Sequence, residues 1–278
     1  MSHKCHSILR DRNGRLLSEM ATVSADLPDR HLIPEHSHPE DQLLFASSGV
    51  MTLRTNEGIW VVPSLRAVWI PANTPHSVEI SGSVSMRTLY LLPGLCTFAP
   101  DKCLVINVSP LLRELILHAC TFSKLRKSCP AERRVIEIVI DQLKAVQCVP
   151  LQLPYPRDSR ATNIASALFS DPGDRRDLHT LCKACGASKR TIQRLFLDET
   201  GMTFGKLRQQ LRLVHGLQLM ARGEKVSTAA LEAGYHSTSA FISMFRKQLA
   251  ATPTRYLPTR SPGNTRSNAE ASRLLADR

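Results

Sequence analysis

His36 and His38 stand one residue apart in HSHPEDQLLFASSG, just ahead of an apolar run, and His76 closes PANTPH further along the chain. Side chains of an extended chain alternate between faces, so a His-x-His pair in a strand aims both imidazoles the same way. Imidazole ligates zinc, iron or nickel, and it serves equally as a hydrogen-bonding wall for a small molecule. Gln42 follows four positions after His38, and Val68, Trp69 and Ile70 offer apolar wall nearby. A second group, Lys189, Arg190, Gln193 and Arg194, carries a different chemistry. Arginine matches guanine edges, glutamine matches adenine, and all four reach phosphate. A third, Cys182-x-x-Cys185, has the spacing of half a zinc site, but only His179 stands near it and no second such pair exists. Structural zinc needs four ligands, so Cys182 is expected instead on a buried stripe with Leu178 and Leu181.

The charge balance separates these groups. The chain has 278 residues and a formal net charge of +12. Residues 1–150 hold 16 Lys+Arg against 14 Asp+Glu (+2), which leaves 20 against 10 (+10) for residues 151–278. A basic half attracts polyanions through counterion release, with nucleic acid the leading candidate. Hydrophobic residues at 42% and charged residues at 22% suit a soluble globular chain of two domains. No apolar stretch is long enough to span a bilayer. The opening residues lack an apolar segment followed by small residues, so a cytoplasmic location is expected, with the eight cysteines reduced.

Residues 19–98 predict strands. QLLFASSG, VMTLRT, GIWVVP, AVWIP, HSVEI and MRTLYLL are short runs separated by turn residues, the pattern of a barrel or sandwich. The period then changes. Ser109-Pro110 opens a helix with Leu111, Leu112, Leu115, Ile116 and Ala119 at helical spacing, and a second starts near Pro130 with Val135, Ile136, Val139, Ile140, Leu143 and Val146. These two helices suit packing on the strands or pairing with a second copy of the chain. VPLQLPYPRD, residues 149–158, carries three prolines and predicts a stiff linker. Beyond it the chain is expected to be helical to Pro258, followed by a polar tail disordered at least to Glu270.

Within the basic half one local plan occurs twice. DLHTLCKACGASKRTIQRLFLDETG predicts a short helix ending near Gly186 and a second capped by Ser188, with Ile192, Leu195 and Phe196 inward. STAALEAGYHSTSAFISMFRKQLAATPTRYL repeats it, with a break at Gly234, Ser237 or Thr238 as cap, and Phe241 and Phe245 inward. TFGKLRQQLRLVHGLQLMARGE joins the copies as one long helix. Helix, tight turn, helix is the plan that lays its second helix in a DNA major groove.

Over roughly residues 160–257 this pattern resembles the AraC/XylS family of bacterial transcription regulators. The Gly-aromatic pair, the Ser/Thr turn, the two phenylalanines, the basic pair and the Thr-Pro…Tyr ending all match in AALEAGYHSTSAFISMFRKQ…TPTRYL. The resemblance implies two recognition helices reading successive major grooves. It assigns DNA contact to Ser188, Lys189, Arg190, Thr191, Gln193 and Arg194 in the first motif. In the second it assigns Ser237, Thr238, Ser239, Ala240, Ser243, Arg246 and Lys247. Ser243 stands where the family commonly has arginine, and Ala251 where it has glycine. A lost bidentate contact removes about 1–3 kcal/mol of discrimination, so the first motif is expected to carry more of the base reading.

The strand-rich half resembles the cupin fold. His36, His38, Gly49, Pro71 and His76 match its signature, whereas Gln42 replaces the acidic ligand, Asn73 the usual glycine, and Arg30 the leading glycine. Three imidazoles with an amide still bind a divalent ion weakly, but loss of the carboxylate lowers affinity for hard ions. The expectation is an effector pocket lined by His36, His38, Gln42, Trp69 and His76, with a divalent metal on the three histidines as the minor alternative and no required cofactor.

The resulting fold class is α+β and multidomain. Residues 1–107 are a cupin-like effector-sensing β-barrel and 108–148 a helical connector suited to dimerisation. Residues 149–158 are the linker, 159–258 an all-α double helix-turn-helix domain, and 259–278 the tail. The function expected is a sequence-specific transcription regulator, activating rather than repressing, and not an enzyme. Its partners are a double-stranded DNA operator, a small-molecule effector, RNA polymerase and a second copy of the chain, without a membrane. The alternative is a metal-dependent cupin enzyme fused to a DNA-binding domain.

Overall fold

The computed structural model describes residues 18–98, 100–145, 152–249 and 251–256. The predicted tail and most of the predicted opening of the linker lie outside them. Nine strands and nine helices of the described residues follow the two-part plan. The strands are β1 (Met20–Leu27), β2 (Leu32–His36), β3 (Asp41–Thr55), β4 (Gly58–Pro63), β5 (Arg66–Ile70), β6 (His76–Leu91), β7 (Leu104–Asn107), β8 (Lys124–Leu125) and β9 (Gln152–Pro154).

The two long strands organise the sheet. β3 and β6 pair antiparallel along most of their length, with register shifts around Ser48. Gly49 sits at that irregularity with φ +74, and a Cβ there would meet Val84 and the Ser83 carbonyl at 2.6 and 2.7 Å. Only glycine combines that backbone angle with that approach. The irregularity divides the ladder. One half continues through β5 to β7 and through β1 to β8, and the other carries β4, β9 and β2. Among the described residues no ring of hydrogen bonds closes, so the cupin-like domain is an open, folded sheet rather than the expected closed barrel.

Alternation along the strands fills two apolar clusters. Leu44, Ala46, Met51, Leu53, Val68 and Ile70 face one. Leu43, Phe45, Ala67 and Trp69 face the other, together with helices α1 (Pro110–Ala119) and α2 (Pro130–Lys144) through Leu112, Ile116, Ile136 and Val139. The two amphipathic helices therefore cover the outside of the sheet. Ser109 caps α1 by accepting from the Leu112 amide at 3.1 Å, as its Ser-Pro start predicts.

The predicted linker is only partly a linker. Gln152–Pro154 form β9 and pair with β4, Leu153 opposite Ile59. Proline at the end of an edge strand removes no ladder bond from the interior, which reconciles the composition with the strand. Then come α3 (Ser159–Ser170), α4 (Leu178–Ala184), α5 (Lys189–Thr200), α6 (Phe204–Ala221), α7 (Val226–Glu232), α8 (Thr238–Leu249) and α9 (Pro253–Tyr256). α6 is nearly enclosed, burying Leu207, Leu211, Leu213, Val214, Leu217, Leu219 and Met220. Its residues share one apolar cluster with the inner face of the sheet, so the two halves are packed against each other.

A candidate DNA interface and a histidine cluster

The first reading helix is set by its caps. Asp177 caps α4 on the Thr180 amide at 2.8 Å. The chain turns through Gly186, φ +65, and Ser188 caps α5 on the Thr191 amide at 3.1 Å. α5 ends at Gly201 in the left-handed conformation. Ile192 and Phe196 are fully buried, which turns Lys189, Arg190, Gln193 and Arg194 outward; all four are exposed. Ser188 and half-buried Thr191 also bond each other at 2.9 Å, so these two serve the cap.

The second helix is built the same way. Ser237, not Thr238, supplies the cap, accepting from the Ala240 amide at 3.2 Å. Phe241 and Phe245 are buried and stack edge-on, with ring centroids 5.7 Å apart. Ser239, Ala240 and Ser243 are exposed and Thr238 is half-buried, with exposed Arg246 and Lys247 in the last turn. This surface is small and neutral where that of α5 is cationic. α6 holds the two motifs in register: a Cβ at Gly216 would stand 2.7 Å from the Phe241 ring. Towards the first motif, Arg212 donates to the Asp174 carbonyl at 2.9 Å. Cys182 lies buried in the α4 stripe, and the Cys185 thiol donates to the Cys182 carbonyl at 3.4 Å.

The three histidines converge. His36 is the last residue of β2 and His76 the first of β6, directly paired in the ladder. His38 lies just beyond β2 rather than within a strand, so its approach owes nothing to strand alternation. Its carbonyl accepts from the Asn73 amide at 2.7 Å, and the Asp41 carboxylate accepts from the Ala72 amide at 2.9 Å. These two bonds bring the 71–75 loop, and with it His76, against His38. One ring nitrogen from each histidine lies within 4.8 Å of the others. Ring centroids are 4.4 Å apart for His36 and His76, 5.3 Å for His38 and His76, and 6.0 Å for His36 and His38.

Every one of these rings is anchored through Nδ1. Its partners are the carbonyls of Pro34, Glu40 and Thr74 for His36, His38 and His76, each at 2.8 Å. Gln42 reaches the group from β3, its amide oxygen 3.0 Å from His38 Nε2. Burial drives the His76 pKa down to about 4, assisted by the neighbouring rings, and lowers that of His38, so both are neutral near pH 7. The Tyr90 ring meets His38 edge-on at 5.0 Å. Among the described residues this is the group of three or more metal-competent side chains.

Trp69 does not join them. It follows Val68 and precedes Ile70 on β5, so alternation turns it to the outer cluster with Leu43 and Phe45. That is a correction to the pocket predicted from sequence. The apolar residues on the histidines' side of β5 are Val68 and Ile70. Two departures from the cupin signature are resolved by backbone: Arg30 and Asn73 adopt φ +61 and +59, the left-handed conformation that glycine would supply there. Nothing in the pattern pointed to the carbonyl anchors or to buried Glu40, because bonds to main-chain oxygen leave no residue-type signal.

Comparison with known proteins bears on both halves. A helix-turn-helix domain family matches residues 181–258, and the AraC-like ligand binding domain family matches residues 19–171. The chain belongs to the AraC family of helix-turn-helix transcriptional regulators. It is 34% identical over 224 residues to the HTH-type transcriptional regulator NimR of Escherichia coli, covering 81% of this chain and 82% of that one. It is 24% identical to the HTH-type transcriptional activator RhaR of Mannheimia succiniciproducens, covering 80% and 86%. The crystal structure of ToxT from Vibrio cholerae O395 aligns with 88% of this chain and 99% of its own, at 13% identity and a TM-score of 0.37. The AraC-type regulator described here thus pairs a sheet-rich ligand-binding domain with a helical DNA-binding domain. No helix among its described residues is long and apolar enough to cross a membrane.

Proposed function

We propose that this AraC-type regulator is a cytoplasmic transcriptional activator that answers a small-molecule effector bound at the histidine end of its sheet domain. The observation that carries the reading is the pairing of two surfaces in one chain. One is an exposed row of Lys189, Arg190, Gln193 and Arg194 on a capped helix; the other is a buried cluster of His38, His76 and Gln42 with half-buried His36 at its edge. The first suits an operator, with Arg190, Gln193 and Arg194 on base edges and Lys189 on phosphate. The second suits a ligand, because it gathers polar atoms at one end of an apolar interior. RNA polymerase and a second copy of the chain are its further partners, and the protein performs no chemistry on its effector.

Activation is supported by the named activators among its relatives. The fused-enzyme alternative asks for a charged ligand where this chain has Gln42. The test is a promoter reporter combined with operator footprinting, with and without candidate effectors. Footprinting at one site and a His76→Gln variant that still binds the operator but no longer answers the effector is the result expected. An effector response unaltered by changes at His36, His38, Gln42 and His76 would overturn the assignment.

A further inference from the structure

We propose that Cys182 and Cys185 are a redox-active thiol pair, closed to a disulfide by hydrogen peroxide, and that closure disturbs the first reading helix and weakens its hold on DNA. The two cysteines bracket the last turn of α4, immediately before the chain turns into α5. Cys182 is buried, Cys185 is half-buried, and both side chains belong to one apolar cluster. α4 ends in a 3₁₀ turn, because the Cys185 amide donates to the Cys182 carbonyl at 3.2 Å. In that geometry side chains at i and i+3 eclipse, and three residues rise about 6 Å, a Cα separation that disulfides accept. The Cys185 thiol already reaches back along the helix to donate to the Cys182 carbonyl at 3.4 Å. A zinc site would lack two ligands here; a disulfide needs these two residues alone.

Their surroundings divide the roles. Burial pushes the Cys182 pKa up, the Cys185 charge acts in the same sense, and Lys189 opposes them, so Cys182 remains a protonated thiol. Cys185 is the thiol that peroxide reaches from solvent, with the Arg160 guanidinium close enough to feel its charge. After Cys185 gives its proton to solvent, its sulfur attacks one peroxide oxygen. The S–O bond forms, the O–O bond breaks, and the departing hydroxide is protonated to water, leaving a sulfenic acid. The Cys182 sulfur then attacks the Cys185 sulfur. The S–S bond forms, the S–O bond breaks, and the hydroxide leaves with the Cys182 proton as a second water. Two thiols are oxidised by two electrons and one peroxide is reduced. Burial holds the Cys96 thiol up at about 11 and Cys103 at about 12, and raises Cys120, so these three stay inert.

The consequence for DNA follows from the hydrogen bonds of the turn. The Cys182 carbonyl accepts from the Cys185 amide, the Cys185 thiol and, at 3.2 Å, the Ala187 amide. The next residue, Ser188, caps α5 and sets the position of Lys189 and Arg190. Closure removes the thiol donor and draws the Cys182 sulfur away from the cluster it shares with Ile192 and Phe196. The first turn of α5 then shifts, carrying its cations with it. Cellular thiols reopen such a bond by exchange, as befits a sensing disulfide in a reducing compartment. The chemistry of the pair is independent of any effector; its effect on DNA rests on the reading of α5 given above.

The experiment uses the full chain, with duplex DNA selected from a random library by the reduced protein as the probe. Trypsin cuts after Lys183, so the oxidised pair leaves as DLHTLCK and ACGASK joined through sulfur. Peroxide treatment of folded protein should yield that joined species, and affinity for the selected duplex should fall at least tenfold and return with dithiothreitol. Cys185→Ser keeps a donor for the Cys182 carbonyl, so it should bind the duplex like the parent chain and ignore peroxide. Cys182→Ala should stop at the Cys185 sulfenic acid, trapped by dimedone; if that buried change does not fold, Cys185→Ser still decides. Absence of the joined peptides after peroxide overturns the pair. Joined peptides with unchanged affinity, or a Cys185→Ser chain that loses affinity as the parent does, overturn the switch. If the reduced chain selects no duplex, the DNA reading fails instead, and the joined peptides still settle whether the pair closes.

Discussion

Gly82, at a positive-φ irregularity within β6, lies so close to Ala221 at the end of α6 that a Cβ on it would stand 2.1 Å from the Ala221 carbonyl oxygen. The sheet domain and the helix that carries both reading motifs meet here backbone to backbone. Gly82→Ala should therefore separate them, because φ is +72 and the obstructing atom is main chain. Gly94→Ala is the control: φ +83, with nothing within 4 Å. Left-handed strain alone costs about 1–2 kcal/mol, and Gly82→Ala should cost about 1–3 kcal/mol beyond it. Urea unfolding of the two variants checks the difference, and equal losses would deny the contact any weight.

The polar bonds around that contact divide unequally. Asp29 accepts from the Gly82 amide at 2.7 Å and from Arg222 Nε at 3.3 Å. The Arg222 pair is partly exposed, so Arg222→Ala should cost under about 1 kcal/mol. Asp29→Ala also strands the Gly82 amide and should cost more. A double-mutant cycle read by denaturant midpoints measures the split.

On DNA, Arg194→Ala should lose about 1–3 kcal/mol at the operator and relax preference at one base pair. Ser243→Ala should lose much less, since its exposed hydroxyl replaces the longer cationic reach available on α5. Competition binding against a library of single-base operator variants checks both. Equal weakening on specific and random DNA would reduce Arg194 to a phosphate anchor.

Within the helical domain, Gly216→Ala should displace the Phe241 ring, which stands 2.7 Å from the added carbon. Alanine favours the helix by about 1 kcal/mol over glycine, but overpacking a buried ring costs about 1–3 kcal/mol. Because Phe241 anchors α8, the second reading helix should tilt. Footprinting should then lose protection over one half of the operator while the other half persists.

Acid should weaken the fold through His215 on α6. Burial is the largest influence and lowers its pKa below 6.5; Arg222 acts in the same sense, while Glu232 and Asp171 oppose it. The unfolded chain then binds the proton more tightly, so the stability present above about pH 6.5 is lost as pH falls towards the folded-state value. Urea midpoints at pH 7.5 and 5.5 should differ less in His215→Gln than in the parent chain.

How much of this was legible beforehand depends on whether an interaction leaves a mark on residue type. Caps do: Ser109 and Ser188 each read as helix starts because few side chains satisfy a bare amide. Buried helix stripes do as well, and Phe196, Phe241 and Phe245 fall inside as their spacing requires. The histidines' convergence was visible, but Trp69 was misplaced because adjacency in sequence was given more weight than strand alternation. Main-chain partners were invisible: the anchors at Pro34, Glu40 and Thr74 are carbonyls that any residue possesses. β9 was hidden behind its prolines, and the Gly82–Ala221 approach behind an ordinary Ser-Gly turn.

That last strand also measures a leash. Pro154 stands opposite Gly58 in the sheet, and α3 begins at Ser159, five Cα steps later. Fully extended, those steps span at most ~18 Å. A reading domain released from the sheet would thus stay within one molecular radius of it, at an effective concentration in the millimolar range. Contacts such as that at Asp29 and the shared apolar cluster then act as if within one chain, against a tether that keeps the two halves near each other. Were two chains to join through their sheets, the same slack would limit how far apart they place their reading helices, and operator spacing would follow from β9 as much as from the DNA.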